Sequence, residues 1–330
     1  MKDVGVSVII PTAAWPERAA SLRRAIASVL AQEGVDLELI VVANGERRDP
    51  DLMRELRAHP RLRLVEQEEP DLPTAQRHGR LLVTRPFFSF LDDDDVYLPG
   101  CLRTRAAPLL EDATVDVVAT NGVWGGSGEP YIRKTSGVEA DPLGALLRGN
   151  WLGSCGALFR TATVDETFFA GNRKYFEWTM VAFRIALAGL RVRFLDVPTY
   201  QMNLTDGSLS RSEAYYRTEP EFLTELLRYP LQPAHTRRIR EKRLAALHFL
   251  ADRYAAQGRF DLAWRYHLRS MRWPGGARYA VFTRRLILPT LRTLARRLAG
   301  EPTTGHSEKG RRLTPANTLR STDLSRTRHR

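Results

Sequence analysis

Short apolar runs alternate with amphipathic stretches through the N-terminal part of the chain. Residues 6–11 are apolar and β-branched, a strand pattern. Pro16-Glu17 then opens a helix carrying Leu22, Ile26, Val29 and Leu30 on one face. Further strands are predicted over 37–42, 62–65, 87–91, 115–119, 154–159 and 191–195. Helices are predicted over 72–83, ahead of the 115–119 strand, and over 176–188, where Gly189 stops the last of them. This alternation predicts an α/β domain with a mostly parallel sheet flanked by helices and right-handed crossovers. Residues 122–141, rich in Gly, Ser and charge, read as a loop or irregular hairpin. Past Asp206 only helical periodicity remains, over 212–228, 236–256, 260–271 and 279–298. From about residue 301 the chain is polar and reads as disordered. The expected organisation is a domain over 1–205, a basic helical C-terminal region over 206–300, and a basic tail over 301–330.

Charge sharpens that division. The net charge is +12, but residues 231–300 alone carry +13 and the last thirty carry +4, leaving −5 on residues 1–230. The basicity therefore describes an attachment surface on the C-terminal third. In its last helix Ile287, Leu291, Leu294 and Leu298 share a face while Arg285, Arg292 and Arg296 lie elsewhere, a pattern suited to an anionic membrane surface. Packing of that face on its own domain is the equal alternative, and Pro289 speaks against one continuous helix. No nucleic-acid reader motif accompanies the basic segment, which argues against nucleic acid as a partner. Two cysteines, Cys101 and Cys155, lack metal-type spacing and suggest free thiols in a reducing compartment. Neither a signal peptide nor an apolar segment of the roughly 20 residues needed to cross a bilayer is evident, so the expected location is the cytoplasm, peripheral at the inner face of the cell membrane where the basic helix attaches.

Candidate chemistry concentrates where the apolar run Phe87-Phe88-Ser89-Phe90-Leu91 meets Asp92-Asp93-Asp94-Asp95. Four adjacent carboxylates repel one another unless a positive charge sits among them, and Mg²⁺ or Mn²⁺ is the natural candidate. Ligands of open α/β sheets bind beyond the carboxyl ends of strands, where this run falls. After the first strand comes Pro11-Thr12-Ala13-Ala14-Trp15-Pro16, without glycine. That excludes a dinucleotide fingerprint, a phosphate loop and the glycine-rich loop of a sugar nucleotidyltransferase.

Taken in order, these segments resemble the family 2 glycosyltransferases with the GT-A fold, over roughly residues 4–205. The resemblance rests on the first strand through Pro11-Thr12, Ser28-Val29-Leu30-Ala31-Gln32, Leu39 to Gly45, and Pro73-Thr74-Ala75-Gln76-Arg77-His78-Gly79. It continues through Phe90 to Pro99, Asn150-Trp151-Leu152-Gly153-Ser154-Cys155, Val164-Asp165-Glu166, and Glu177-Trp178 followed by Arg184 to Gly189. It implies an inverting, metal-dependent transfer of a sugar from a nucleoside diphosphate sugar, UDP-linked, to a hydroxyl of a saccharide or lipid-linked acceptor in cell-surface polysaccharide synthesis. Pro11, Thr12 and Asn44 would frame the base, with Asn44 where the family usually has Asp. Arg77 would lie near the diphosphate. The DXD motif maps onto Asp92 and Asp94, with Asp94 as metal ligand, Asp92 towards metal or ribose, and Asp93 and Asp95 as register alternatives. The base maps onto Glu177, with Asp165 or Glu166 as the fallback, because Trp178 stands where the Asp of the family's usual Glu-Asp pair would be. Ser208 and Arg211 fall where such enzymes have a segment that closes over the donor. Trp124, Trp151 and Trp178 are candidates for sugar contact or for the core. The damaged pair also leaves open a non-catalytic binding protein that docks a partner or membrane through its basic region.

Overall fold

The first apolar run folds into β1 (Val4–Thr12) in a computed structural model that describes residues 4–203 and 212–298. The other strands are β2 (Val35–Asn44), β3 (Arg63–Gln67), β4 (Phe87–Phe90), β5 (Val96–Tyr97), β6 (Val117–Trp124), β7 (Ala157–Arg160) and β8 (Val192–Met202). All eight share one sheet in the order β3-β2-β1-β4-β7-β6-β8-β5. Four neighbouring pairs are parallel and three antiparallel, so the sheet is mixed. Its N-terminal half is the parallel α/β alternation expected, and the change of direction comes from β7, which inserts antiparallel between β4 and β6.

Helices α1 (Ala19–Leu30), α2 (Pro50–Ala58), α3 (Leu72–Leu81), α4 (Cys101–Glu111), α5 (Pro142–Arg148) and α6 (Glu177–Leu187) accompany the sheet. Val6, Val8 and Ile10 alternate along β1 and share one core with Leu22, Ile26 and Val29 of α1 and Leu102 of α4. The opposite face meets α3 closely. A Cβ at Gly79 would fall 2.4 Å from Ile9 Cγ2, so glycine is what lets this helix lie against the sheet. Further along that face Phe88, Phe90, Phe159, Phe169 and Trp178 pack edge-on and stacked, tying α6 to the strands.

Two short helices, α2 and α5, were not predicted, although each carries an Asp-Pro start. Asp49 accepts from the N–H groups of Asp51 and Leu52, and Asp141 from that of Gly144. Residues 122–141 do form an irregular hairpin at first: β6 runs on to Trp124, whose N–H donates to the carbonyl of Glu129.

Between β4, β6 and β8 lies a charged residue with no counter-charge among its partners. Arg105 of α4 is fully buried and donates to the hydroxyls of Thr120, Thr199 and Ser89 and to the carbonyl of Cys155, the last at 2.6 Å. A guanidinium removed from water is tolerated only when its donors are satisfied, and these oxygens do so while pinning β4, β6, β8 and the Cys155 loop together. Tyr200 stands beside it, 5.8 Å from ring centroid to guanidinium, and glycines crowd that ring. An added Cβ would come within 2.3 Å of the Tyr200 hydroxyl at Gly153 and 3.0 Å of the ring at Gly156. Both cysteines are free and buried.

The chain divides into two compact units, Met1–Ser208 and Leu209–Arg330. The second contains α7 (Glu213–Leu226), α8 (Pro233–Ala256), α9 (Phe260–Met271) and α10 (Phe282–Leu298). Its core joins Leu247, Leu250 and Tyr254 of α8 to Ala263 and Tyr266 of α9 and to Phe282 and Leu286 of α10. Pro289 lies inside α10 without ending it. Phe282 and Leu286 bury one side of α10, yet Ile287, Leu288, Leu291 and Leu298 stand exposed, so the helix carries a second, outward apolar stripe. Among the described residues no helix is long and apolar enough to cross a membrane.

Candidate active site

Because β2, β1 and β4 run parallel, their carboxyl ends open on the same edge of the sheet. The register sets Thr12 opposite Ala43, one residue before Asn44, and the Leu91 N–H donates to the carbonyl of Ile9, which brings the acidic run level with the end of β1. The chain then turns, Asp95 N–H to Asp92 carbonyl at 3.2 Å, before β5 pairs with β8.

The four aspartates divide into two roles. Asp93 accepts the Thr12 hydroxyl at 2.7 Å, and Arg18 Nη1 bridges Asp93 at 3.1 Å and Asp94 at 2.7 Å. Asp95 is buried and accepts the Asn203 N–H at 2.8 Å and the Cys155 thiol at 3.3 Å, so it fastens the turn. Asn203 also donates its side-chain amide to the Asp94 carbonyl at 2.7 Å. Asp92 lies between these groups, hydrogen-bonded to Ser154.

Burial, with the neighbouring aspartates, pushes Asp92 up to about 7 and Asp95 to about 8. Such a pair favours a second positive charge, and one oxygen each of Asp92 and Asp95 lies within 4.8 Å of Cys155 Sγ. Carboxylate oxygens suit a hard cation. Cys155 does not: burial holds its thiol well above its ordinary value, and it donates to Asp95. The aspartate oxygens therefore suit a hard divalent cation, with Cys155 as support.

A stability consequence follows. Carboxyls with folded pKa values above the usual 3.8 stabilise the fold fully below that value and lose the contribution progressively as pH rises from about 4 to about 7 and 8. His248 and His267, held low by burial, oppose this only below about 6.5. With chelator present, the melting temperature is expected to fall between pH ~6.5 and ~8.5, and Asp92→Asn should flatten the slope. A wild-type curve that is flat or rising across that window contradicts this electrostatic account.

Glu177 opens α6 and is buried, with the Tyr175 N–H donating to its Oε1 at 3.0 Å. Burial raises its pKa, with Asp71 adding to the effect, and its charge is felt at Asp92. Among the described residues two non-glycine residues have positive φ, Ala14 (50°) and Tyr175 (78°), and they flank Thr12 and Glu177. Strain of this kind persists where surroundings over-determine the backbone, commonly at functional sites.

The remaining predicted residues separate. Pro11 is buried within β1, and Asn44 is buried beside Gly45, whose φ is 87°. The Thr12 hydroxyl is already engaged by Asp93 and by the N–H of Ala14. Arg77 stands exposed on α3, while Gln76 faces inward with neither amide atom hydrogen-bonded. Asp165 is an exposed cap that accepts the Thr167 N–H at 2.9 Å, and Glu166 begins the turn it caps. Trp151 is core, its indole N–H donating to the carbonyl of Pro142, and Trp178 packs edge-on against Phe90. Trp124 packs against Tyr131. Ser208 and Arg211 lie outside the described residues. Sequence reasoning missed Arg18, Ser154, Cys155, Asn203 and Asp71 as site neighbours. Only the Asn150–Cys155 segment had drawn notice, and the partners of the acidic run lie 60 to 109 residues away along the chain.

This end of the sheet thus carries the carboxylates that follow β4, with the buried glutamate that opens α6 within their electrostatic reach. The family model "Glycosyl transferase family 2" matches residues 7–177, and the chain belongs to that family. Its fold is similar to that of Staphylococcus aureus TarS 1-349, at TM-score 0.56 and 16% identity, with 91% of this chain and 93% of that one covered. The same protein in complex with UDP-GlcNAc aligns at TM-score 0.55 and 16% identity, and in complex with UDP at 0.53 and 15%, with the same coverage of both chains. No curated protein sequence is significantly similar to this chain.

Proposed function

We propose that the chain is an inverting glycosyltransferase that moves a sugar from a UDP-linked donor to a hydroxyl of a saccharide or lipid-linked acceptor, in the synthesis of cell-surface polysaccharide. The observation that carries this reading is the acidic turn after β4 within electrostatic reach of Glu177, in a chain of this family. The UDP-GlcNAc and UDP complexes of the similar TarS fold support the choice of donor.

Asp92 and Asp94 would hold Mn²⁺ or Mg²⁺, which when bound neutralises charge developing on the departing diphosphate. Asp92 would lie towards metal or ribose, Asp93 would contribute to the nucleotide-sugar site, Pro11, Thr12 and Asn44 would frame the base, and Arg77 would reach the diphosphate from its exposed position. Glu177 would accept the proton of the acceptor hydroxyl as its oxygen bonds the anomeric carbon opposite the leaving group, and UDP leaves with the electron pair of the broken bond. The raised pKa of Glu177 suits a base working near neutral pH. UDP release from UDP-sugars, assayed with Mn²⁺ and with chelator, tests the reading. Metal-dependent release supports it, and no release with any donor leaves the non-catalytic binding protein in its place.

Attachment to the inner face of the cytoplasmic membrane belongs to the same proposal. The outward stripe of α10 supports it, as do nine arginines and no acidic residue between Asp261 and Glu301. Each arginine near an anionic surface contributes about 1 kcal/mol. The protein is expected to sediment with vesicles containing anionic lipid but not with neutral ones, and Leu291→Glu should reduce the bound fraction. Equal partition to both vesicle types would reject the electrostatic attachment.

A further inference from the structure

We infer that Arg18 is an internal counter-ion that occupies Asp93 and Asp94 until metal and donor arrive, and that its released guanidinium then binds the donor diphosphate. The inference rests on the glycosyltransferase reading above. Three observations carry it. One nitrogen, Nη1, bridges both carboxylates, at 3.1 and 2.7 Å. A cation held by the Asp94 carboxylate would compete with the guanidinium for it, because two positive charges on one carboxylate repel. Metal binding therefore has to displace Arg18, or Arg18 has to weaken metal binding.

The second observation is where the side chain stands. Arg18 ends a 3₁₀ turn (Pro16–Arg18) directly before α1, on the connection leaving β1, and its side chain remains 32% exposed. It borders the edge where a diphosphate would lie, and it has room to turn outward. Third, the same connection is anchored independently of Arg18. Thr12 bonds Asp93, and Ala14, in its positive-φ conformation, gives its carbonyl to the Asp49 N–H at 2.8 Å. Releasing the ion pair thus leaves the backbone of the site fastened. A freed guanidinium beside a doubly charged anion offers a planar fork matched to phosphate oxygens.

The role has a signature that a purely structural ion pair lacks, because the two ligands respond in opposite directions. In full-length protein, Arg18→Gln is expected to bind Mn²⁺ alone roughly tenfold more tightly, read from the electron paramagnetic resonance signal of free Mn²⁺ in titrations with MnCl₂. The same variant should bind UDP at saturating Mn²⁺ roughly tenfold more weakly, read by calorimetry. Arg18→Lys, which keeps the charge but loses the fork, should restore the weak Mn²⁺ affinity without restoring full UDP affinity. Circular dichroism melts of each variant establish that the fold is retained. Parallel weakening of both ligands in a folded variant, or no change in either, overturns the role of Arg18 and leaves the transferase reading standing. Absence of Mn²⁺ binding to the wild-type protein even with UDP removes both together.

Discussion

Asp94→Asn is expected to cut UDP release by about 10³-fold or more while leaving the fold intact. The substitution keeps the size of the side chain and removes its charge. If Asp94 holds the metal, the loss is several kcal/mol of transition-state stabilisation. Its structural cost is small by comparison. The ion pair it makes joins side chains 32% and 18% exposed, and pairs in such settings contribute about 1 kcal/mol or less. The melting temperature should therefore move by only about 2–4 °C. Both quantities are measurable on one preparation, by a coupled UDP assay and a thermal melt. Turnover like the wild type in Asp94→Asn would remove the residue from the metal site, and Asp92→Asn would then be the next variant to assay.

Substituting Glu177 by Gln should lower kcat by roughly 10²–10⁴ with little change in donor KM. Glutamine retains an oxygen for the Tyr175 N–H at the start of α6, so the local backbone has no reason to move. What disappears is the capacity to take a proton. Because burial raises the pKa of Glu177, wild-type kcat should fall on acidification from neutral pH, and the residual activity of the variant should not follow that limb. Asp165→Ala provides the contrast. Asp165 caps a turn, so its loss should register in stability before it registers in rate. An unchanged kcat in Glu177→Gln would move the base to another carboxylate.

Much of this could be read along the chain because local pattern and tertiary role coincide there. Residues 260–271 were predicted helical and α9 is Phe260–Met271, since an amphipathic face bounded by Gly258 and Trp273-Pro274 leaves few alternatives. Strand β4 was legible for the same reason, an aromatic run ending in charge. Other features depend on pairings that no local pattern encodes. Two-residue β5 exists only because β8 runs past Leu195 to meet it. The antiparallel entry of β7 reflects where its neighbours lie in space. The acidic run was visible, but its division into Asp93 and Asp94 facing Arg18 and Asp95 fastened by Asn203 and Cys155 was not. An arginine on one connection and an aspartate turn on another become partners only once β1 and β4 are adjacent.

Tyr200 leaves a mark on how this protein can vary. Its side chain fills space that a methyl group at Gly122 or Gly153 would claim, with added carbons landing 2.5 Å from the ring and 2.3 Å from the hydroxyl. Single substitutions at those glycines should accordingly fail, whereas shrinking the aromatic residue first opens room for them. Adaptive routes through this neighbourhood are thus ordered in time: the tyrosine must give way before the glycines can.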